Sequence, residues 1–320
     1  MTKITTDIID AVSASKNILV CGHIRPDGDC ISSALAMRRI CQNMGKTAVA
    51  VCDCDKPSSF AFLPEYDGFC ALKELDYDLF IAVDCATESR LGKYDEYLVR
   101  AKNSIVIDHH PTNPGYGKIN HIVPSSASTC SIILDIFRDT EYIDKDVATM
   151  LYTGLSTDTG HFMHANTTTK VFTDAAKLSE FGIDIASINH DLYCSEPYKK
   201  IKLKSRTLDG IRLFGENKIA LMKIMLSDLD GCGCTSEDTE GLIDYAKSIR
   251  GVEIAISICE QPGGFFRVSL RSVSANVAAV AEKFGGGGHK LAAGCIVKGN
   301  EFDVADRVVS AAARELGVKP

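Results

Sequence analysis

Short runs of apolar, largely β-branched residues in the first third of the chain lead into charged or histidine residues, and this pattern constrains the fold most. The runs are NILVCG (17–22), TAVAVC (47–52), LFIAVD (79–84) and SIVID (104–108), separated by stretches with helical patterning. Buried-type strands alternating with helices predict a parallel α/β sheet, whose ligands gather beyond the carboxyl ends of the strands. Helices are expected over about 29–44, near 57–63 and over 94–102, and from Ala127 to about Thr207 the chain reads as mostly helical. After Gly210 the texture changes: IRLF, KIALMKIM, VEIAISIC and FFRVSLRS read as strands, with GEN, QPGG and GGGG as turns and a last helix near 303–316. The expected fold class is therefore α/β: an N-terminal parallel-sheet domain over 1–188, a helical linker over 189–210 and a smaller α+β domain over 211–320.

A length of 320 residues suits two such domains. Lys and Arg number 35 against 42 Asp and Glu, a formal net charge of −7. That balance argues against a protein that grips long duplex nucleic acid, where neutralising phosphates dominates affinity. It leaves room for a short anionic ligand in a local pocket. The 13 cysteines are odd in number and form no C-x-x-C pair. Cys52/Cys54 and Cys232/Cys234 are C-x-C, but a thiolate metal site needs about four ligands, so reduced thiols in a cytoplasmic protein are the expected reading. No apolar run approaches ~18 residues and the first segment lacks a secretory core, so no membrane association is expected.

Acids and histidines cluster where the strands end. The first strand leads into His23-Ile24-Arg25-Pro26-Asp27-Gly28-Asp29, the third ends in Asp84, and the fourth in Asp108-His109-His110. A helix carries Asp158 within Ser156-Thr157-Asp158-Thr159-Gly160. A lone strand-terminal Asp is commonly a helix N-cap. The coincidence at successive strand ends points instead to one crevice lined by oxygen and imidazole donors. Such donors suit Mn²⁺ or Mg²⁺, and the four carboxylates Asp27, Asp29, Asp84 and Asp158 balance two divalent ions.

These residues resemble the motifs of the DHH phosphoesterase superfamily: His23-x-x-x-Asp27-x-Asp29, Asp84, the triplet Asp108-His109-His110, and Asp158. Gly285-Gly286-Gly287-Gly288-His289-Lys290-Leu291-Ala292-Ala293-Gly294 resembles the signature of the accompanying DHHA1 domain, so the resemblance spans nearly the whole chain. Within the superfamily the chain looks like the short nanoRNase group, oligoribonucleases that also dephosphorylate 3′-phosphoadenosine 5′-phosphate (pAp).

The resemblance implies one metal held by His23, Asp27 and Asp84, and a second held by Asp29, Asp84, His109 and Asp158, with Asp84 bridging. It implies a substrate-facing catalytic role for His110; Arg25, inside the first motif, is a candidate phosphate clamp. It further implies that Arg271, Ser272, Asn276, His289 and the backbone of Gly286, Gly287 and Gly288 grip the substrate's terminal phosphate and base. Expected substrates are short single-stranded RNA, dinucleotides and pAp, with linear or cyclic dinucleotides as the alternative class. A homodimer is left open. His161 and His164, close behind Asp158, are lesser candidates for contacts behind the ligands.

Overall fold

The computed structural model describes residues 2–74 and 76–319, and the chain forms two compact units, Met1–Ser195 and Glu196–Pro320. In the first unit, α1 (Lys3–Ala14) precedes β1 (Asn17–Cys21), α2 (Gly28–Asn43), β2 (Thr47–Val51), β3 (Leu79–Val83), α3 (Asp95–Arg100), β4 (Asn103–Asp108) and β5 (Ile119–Ile122). Four helices complete it: α4 (Thr129–Phe137), α5 (Lys145–Asp158), α6 (Thr169–Ser179) and α7 (Ile185–Tyr193). The five strands form a parallel sheet in the order β2-β1-β3-β4-β5.

Its central strands are buried on both faces, which is why they read as unbroken apolar runs. Successive side chains alternate between two cores. Ile18, Val20, Ile81 and Ile107 pack with Ile31 and Leu35 of α2, Ile133 of α4 and Leu151 of α5. Leu19, Cys21, Phe80 and Val106 face the other way, onto Leu91, Tyr94 and Ala101. β5 went unforeseen because this edge strand, INHI, is only half-buried and carries polar residues. The helix expected near 57–63 is a single 3₁₀ turn, Ser58–Phe60, entered through Pro57.

The second unit holds α8 (Tyr198–Asp209), β6 (Arg212–Phe214), β7 (Ile219–Ile224), α9 (Leu226–Cys232), α10 (Leu242–Lys247) and β8 (Ile254–Gln261). It continues with β9 (Phe265–Ser272), α11 (Val277–Glu282), β10 (Gly287–His289), β11 (Ala292–Lys298) and α12 (Glu301–Leu316). A six-stranded mixed sheet runs in the order β10-β11-β9-β8-β7-β6, and only the β7–β8 pair is parallel. Val268, Leu270, Val297 and their neighbours pack against α11 and α12. On the opposite face α8, α9 and α10 cover Ala220, Met222 and Ala255.

The glycine run corrects the sequence reading: part of the expected turn is strand β10. A Cβ on Gly286 would collide with Gly294 O and the Cys295 side chain, and one on Gly288 would lie 2.6 Å from Ala292 O. These two glycines are required by close backbone approach to β11.

Close approach also governs the helices of the first unit. A Cβ on Gly28 would strike Thr157 of α5, and one on Gly154 would strike Cys130 Sγ and lie 2.8 Å from Asp29 Oδ1. An exposed helix glycine replaced by alanine gains up to about 1 kcal/mol. Gly154→Ala is expected instead to cost ~1–3 kcal/mol by overpacking. Denaturant midpoints compared with wild type check the sign.

Candidate metal centre

Asp84 stands at the convergence point. It follows β3 directly, is 2% exposed and adopts a left-handed backbone with φ of 53°. For a non-glycine residue this conformation costs of order 1 kcal/mol, and its N–H donation to Ile107 O at 3.0 Å helps hold it. The two carboxylate oxygens face different imidazoles: Oδ2 is 3.6 Å from His23 Nε2, and Oδ1 is 3.5 Å from His109 Nε2. Thr129 Oγ1 donates to Oδ1 at 3.0 Å.

His23, buried just beyond β1, sets its Nδ1 2.8 Å from Ile24 O and 2.9 Å from Arg90 Nη2. Nδ1 either donates to the carbonyl or accepts from the guanidinium, according to the tautomer; in the first case Nε2 keeps the lone pair that a ligating histidine requires. Burial lowers the His23 pKa, which favours this neutral form. His109 Nε2 also lies 3.7 Å from Asp158 Oδ2, and its Nδ1 is 3.4 Å from Ser126 O.

Asp29, in the first turn of α2, is 1% exposed. Its Oδ2 accepts from Thr129 N at 2.6 Å and its Oδ1 from Cys130 N at 3.0 Å, so it closes the amino end of α4 across 100 residues of sequence. Asp27 is the N-cap of α2, accepting from Cys30 N at 3.1 Å through Oδ1, while Oδ2 sits 4.0 Å from His23 Nε2. The capping bond occupies one oxygen and leaves the other available as a donor, because a carboxylate has two. Asp29, His109 and Asp158 can present one donor each within 4.8 Å of one another, as can Asp84, His109 and His110.

The electrostatics follow from crowding acids with little counter-charge. Burial raises the Asp84 pKa well above the ordinary carboxylate range, and the charges of Asp29 and Asp27 add to it. Burial likewise raises Asp29, and pushes Asp158 to about 8 with the help of the Asp29 and Asp27 charges. A pocket of buried oxygen and imidazole donors that resists its own ionisation fits divalent cations. Cys30 shares the pocket with His23 and Asp84, but burial drives its thiol well above the ordinary value, so it stays protonated and accepts from His23 N at 3.1 Å.

His110 is positioned differently. Its Nδ1 lies 2.7 Å from Asp108 Oδ1, and the Asp108 carboxylate also accepts from Asn113 Nδ2 at 2.6 Å. That hydrogen bond to Asp108 raises the His110 pKa. Burial of Asp108 pushes its own carboxyl up, but bonds from His110 and Asn113 outweigh this and hold it below its ordinary value. Arg25 is exposed with φ of 53° and has no ion-pair partner among the described residues. Asp108, Thr129 and Arg90 were not singled out as site residues from the sequence. Asp108 had a visible signal, its place at a strand end, whereas Thr129 and Arg90 reach the site only through tertiary contacts. His161 packs edge-on against Tyr193 at 4.4 Å, and His164 Nδ1 is 3.4 Å from Asp158 O.

In the second unit, strand register settles which candidates meet. Arg271 on β9 and His289 on β10 both pair with Ala292 of β11, so the three side chains form a row on one sheet face with a methyl group in the middle. Ser269, Gly294 and the exposed Ile296 continue that face along β9 and β11. The Arg271 guanidinium contacts only the carbonyl of Leu270, at 3.1 Å, among the described residues. Ser272 is not brought to this face: it is 5% exposed and its hydroxyl donates to Ala275 O at 2.6 Å. Asn276 is exposed at the start of α11 with no capping bond. Phe266 is core, while Phe265 lies on the open side with Lys298 Nζ 5.5 Å from its ring centre.

Comparison with known proteins matches residues 17–155 to the DHH family, N-terminal domain, and residues 218–315 to the DHHA1 domain. The bifunctional oligoribonuclease and PAP phosphatase NrnA of Thermus thermophilus is 33% identical over 98% of this chain and 94% of its own. This chain belongs to the DHH phosphoesterase superfamily, in the nanoRNase and pAp phosphatase group. The probable bifunctional oligoribonuclease and PAP phosphatase NrnA of Streptococcus mutans is 29% identical over 93% of this chain and 94% of its own. An exopolyphosphatase-related protein from Bacteroides fragilis shares the DHH–DHHA1 fold with a TM-score of 0.89, at 21% identity and 98% coverage of both chains.

A pH dependence follows for the metal-free protein. A carboxyl raised in the folded state holds its proton more tightly there than in the unfolded chain. The contribution of Asp158 is therefore complete below about pH 4 and lost as pH climbs towards 8. In chelator, Asp158→Asn is expected to melt above wild type at about pH 8, by ~2–4 °C per kcal/mol recovered, with the gap closing near pH 5. Added Mn²⁺ is expected to raise the wild-type melting temperature more at the higher pH and to act weakly on the variant, read by thermal melts.

Proposed function

We propose that this chain hydrolyses short oligoribonucleotides to nucleoside 5′-monophosphates and converts pAp to AMP, using two Mn²⁺ ions. The observation that carries this reading is the Asp84 carboxylate, which turns one oxygen to His23 and the other to His109. On this reading His23, Asp27 and Asp84 would hold one ion, and Asp29, Asp84, His109 and Asp158 would hold the other. The relatives named as bifunctional oligoribonuclease and PAP phosphatase, matched over nearly their whole length, support the substrate assignment.

Two divalent ions supply Lewis acidity at a phosphoryl oxygen and a nucleophile available at neutral pH. The chain's own groups do the rest. His110 is held by Asp108 through Nδ1, which fixes its orientation and leaves Nε2 to hold a proton for the departing oxygen. Its raised pKa keeps it protonated at higher pH than a free imidazole, as a general acid needs. Arg25, exposed and without a carboxylate partner, meets a substrate phosphate. On the second sheet, Arg271 and His289 flank Ala292 and receive the terminal phosphate and base of a short substrate. Among the described residues the open face carries no ladder of aromatic platforms, which fits a ligand of a few nucleotides better than a long strand.

A panel of pAp, two-to-five-nucleotide RNAs, linear pApA and pGpG, cyclic dinucleotides and a long RNA, with products identified by mass spectrometry, tests the assignment. Mononucleotide release from the short RNAs and AMP from pAp are expected. Turnover of cyclic dinucleotides alone would refute it. Asp84→Ala is expected to lower turnover by a factor of ~10³ or more, since one change removes a ligand from both ions. Arg271→Ala is expected to raise KM for pAp by roughly 10–100-fold with a smaller effect on kcat, the pattern of a lost charge-assisted phosphate contact. Steady-state kinetics separates the two.

A further inference from the structure

Among the described residues, one grouping of potential metal ligands lies outside the Asp/His cluster: Cys52, Cys54 and Cys70, whose sulfur atoms all fall within 4.8 Å of one another. The sequence showed only the C-x-C pair. The third thiol comes from 18 residues beyond Cys52, carried in by the loop that follows β2. Cys70 N donates to Ala50 O of β2 at 2.9 Å, which fixes the loop against the strand, and Cys70 itself adopts φ of 64°. Its sulfur lies 3.3 Å from Cys52 Sγ and 3.5 Å from Cys52 O.

Three thiolates around one ion at about 2.3 Å from each sulfur stand about 4 Å apart. The Cys52–Cys70 separation of 3.3 Å, with all three sulfurs within 4.8 Å of one another, is compatible with that spacing. Asp53, between the two C-x-C cysteines, is engaged elsewhere: its carboxylate accepts from Lys93 N at 3.1 Å and pairs with Lys93 Nζ at 2.9 Å. Cys52 is 1% exposed and held in the core, whereas Cys54 and Cys70 are half-buried, so the cluster is anchored on one side and reachable on the other. A Cys52–Cys70 disulfide would need an oxidant and would leave Cys54 without a role.

We propose that Cys52, Cys54 and Cys70 form a second metal site, made of sulfur alone, that binds one thiophilic d¹⁰ cation. Cu(I) fits the three donors as a three-coordinate ion, and Zn(II) fits with water as a fourth. The site is distinct in ligand chemistry from the oxygen and nitrogen pocket, which takes harder ions.

The test uses the full chain, reduced and chelator-stripped under anaerobic conditions. Cu(I) is titrated against a chromogenic Cu(I) chelator, and Zn(II) against a chromogenic zinc chelator with excess Mn²⁺ present to occupy the Asp/His cluster. Wild type is expected to retain one equivalent of at least one ion and to protect Cys54 and Cys70 from alkylation, read by peptide mass spectrometry. Cys54→Ser and Cys70→Ser are each expected to weaken binding on the order of 100-fold, while Cys194→Ser, at an exposed thiol outside the cluster, leaves it unchanged. Binding of both ions identifies a general soft-metal site, and binding of one alone identifies its preference. Retention of neither ion, or a change of less than about tenfold in the Cys54 variant, would overturn the proposal. Should Cys70→Ser fail to fold, the half-buried Cys54 still decides the outcome.

Discussion

The first unit is organised around two carboxylates that ought to repel one another. Asp29 and Asp84 are almost wholly buried; burial raises both carboxyls, and the Asp29 charge adds to the resistance of Asp84 to ionisation. An isolated buried charge is costly, and a pair of like sign more so. What offsets part of that cost is the amino end of α4: two amides serve Asp29, and the Thr129 hydroxyl serves Asp84. Buried glycines at 28 and 154 bring α5, and with it Asp158, close enough to join them. The remaining imbalance would favour a bound cation.

The second unit solves a different problem with a sheet that is covered unevenly. One face is sealed by α11 and α12 along its length, whereas on the other face the helices cover the β7–β8 side and leave β9, β11 and β10 open. Among the described residues, a guanidinium on that open half has no acid paired with it, and small residues at 292 and 294 keep the surface shallow. Preorganised positive charge beside a flat floor suits an anionic chain end.

Much of this was legible in the sequence because the relevant signals were local. Strands buried on both faces announce themselves as apolar runs, and the residues just past their ends sit at one rim by the topology of a parallel sheet. His23, Asp29, Asp84 and His109 were expected there on that ground and Asp158 from a helix, and the structure sets these side chains near one another. What the sequence hid depends on partners far along the chain. Thr129 matters through Asp84, Arg90 through His23, and Cys70 through Cys52; none carries a motif of its own. β5 was hidden for a different reason: as an edge strand it needs little apolar character. The glycine run was seen but misread, because a strand that pairs through closely approaching backbone looks, letter by letter, like a loop.

The bonds of Asp29 to α4 carry a lesson for anyone wishing to retune this centre. Both oxygens of that carboxylate take their bearings from main-chain groups, which side-chain replacement leaves largely in place. The placement of these donor atoms is thus inherited from how one helix abuts another, and swapping the atoms alone would leave the pocket at its original dimensions. An engineer aiming at a larger or smaller ion would have to begin with the helix seam.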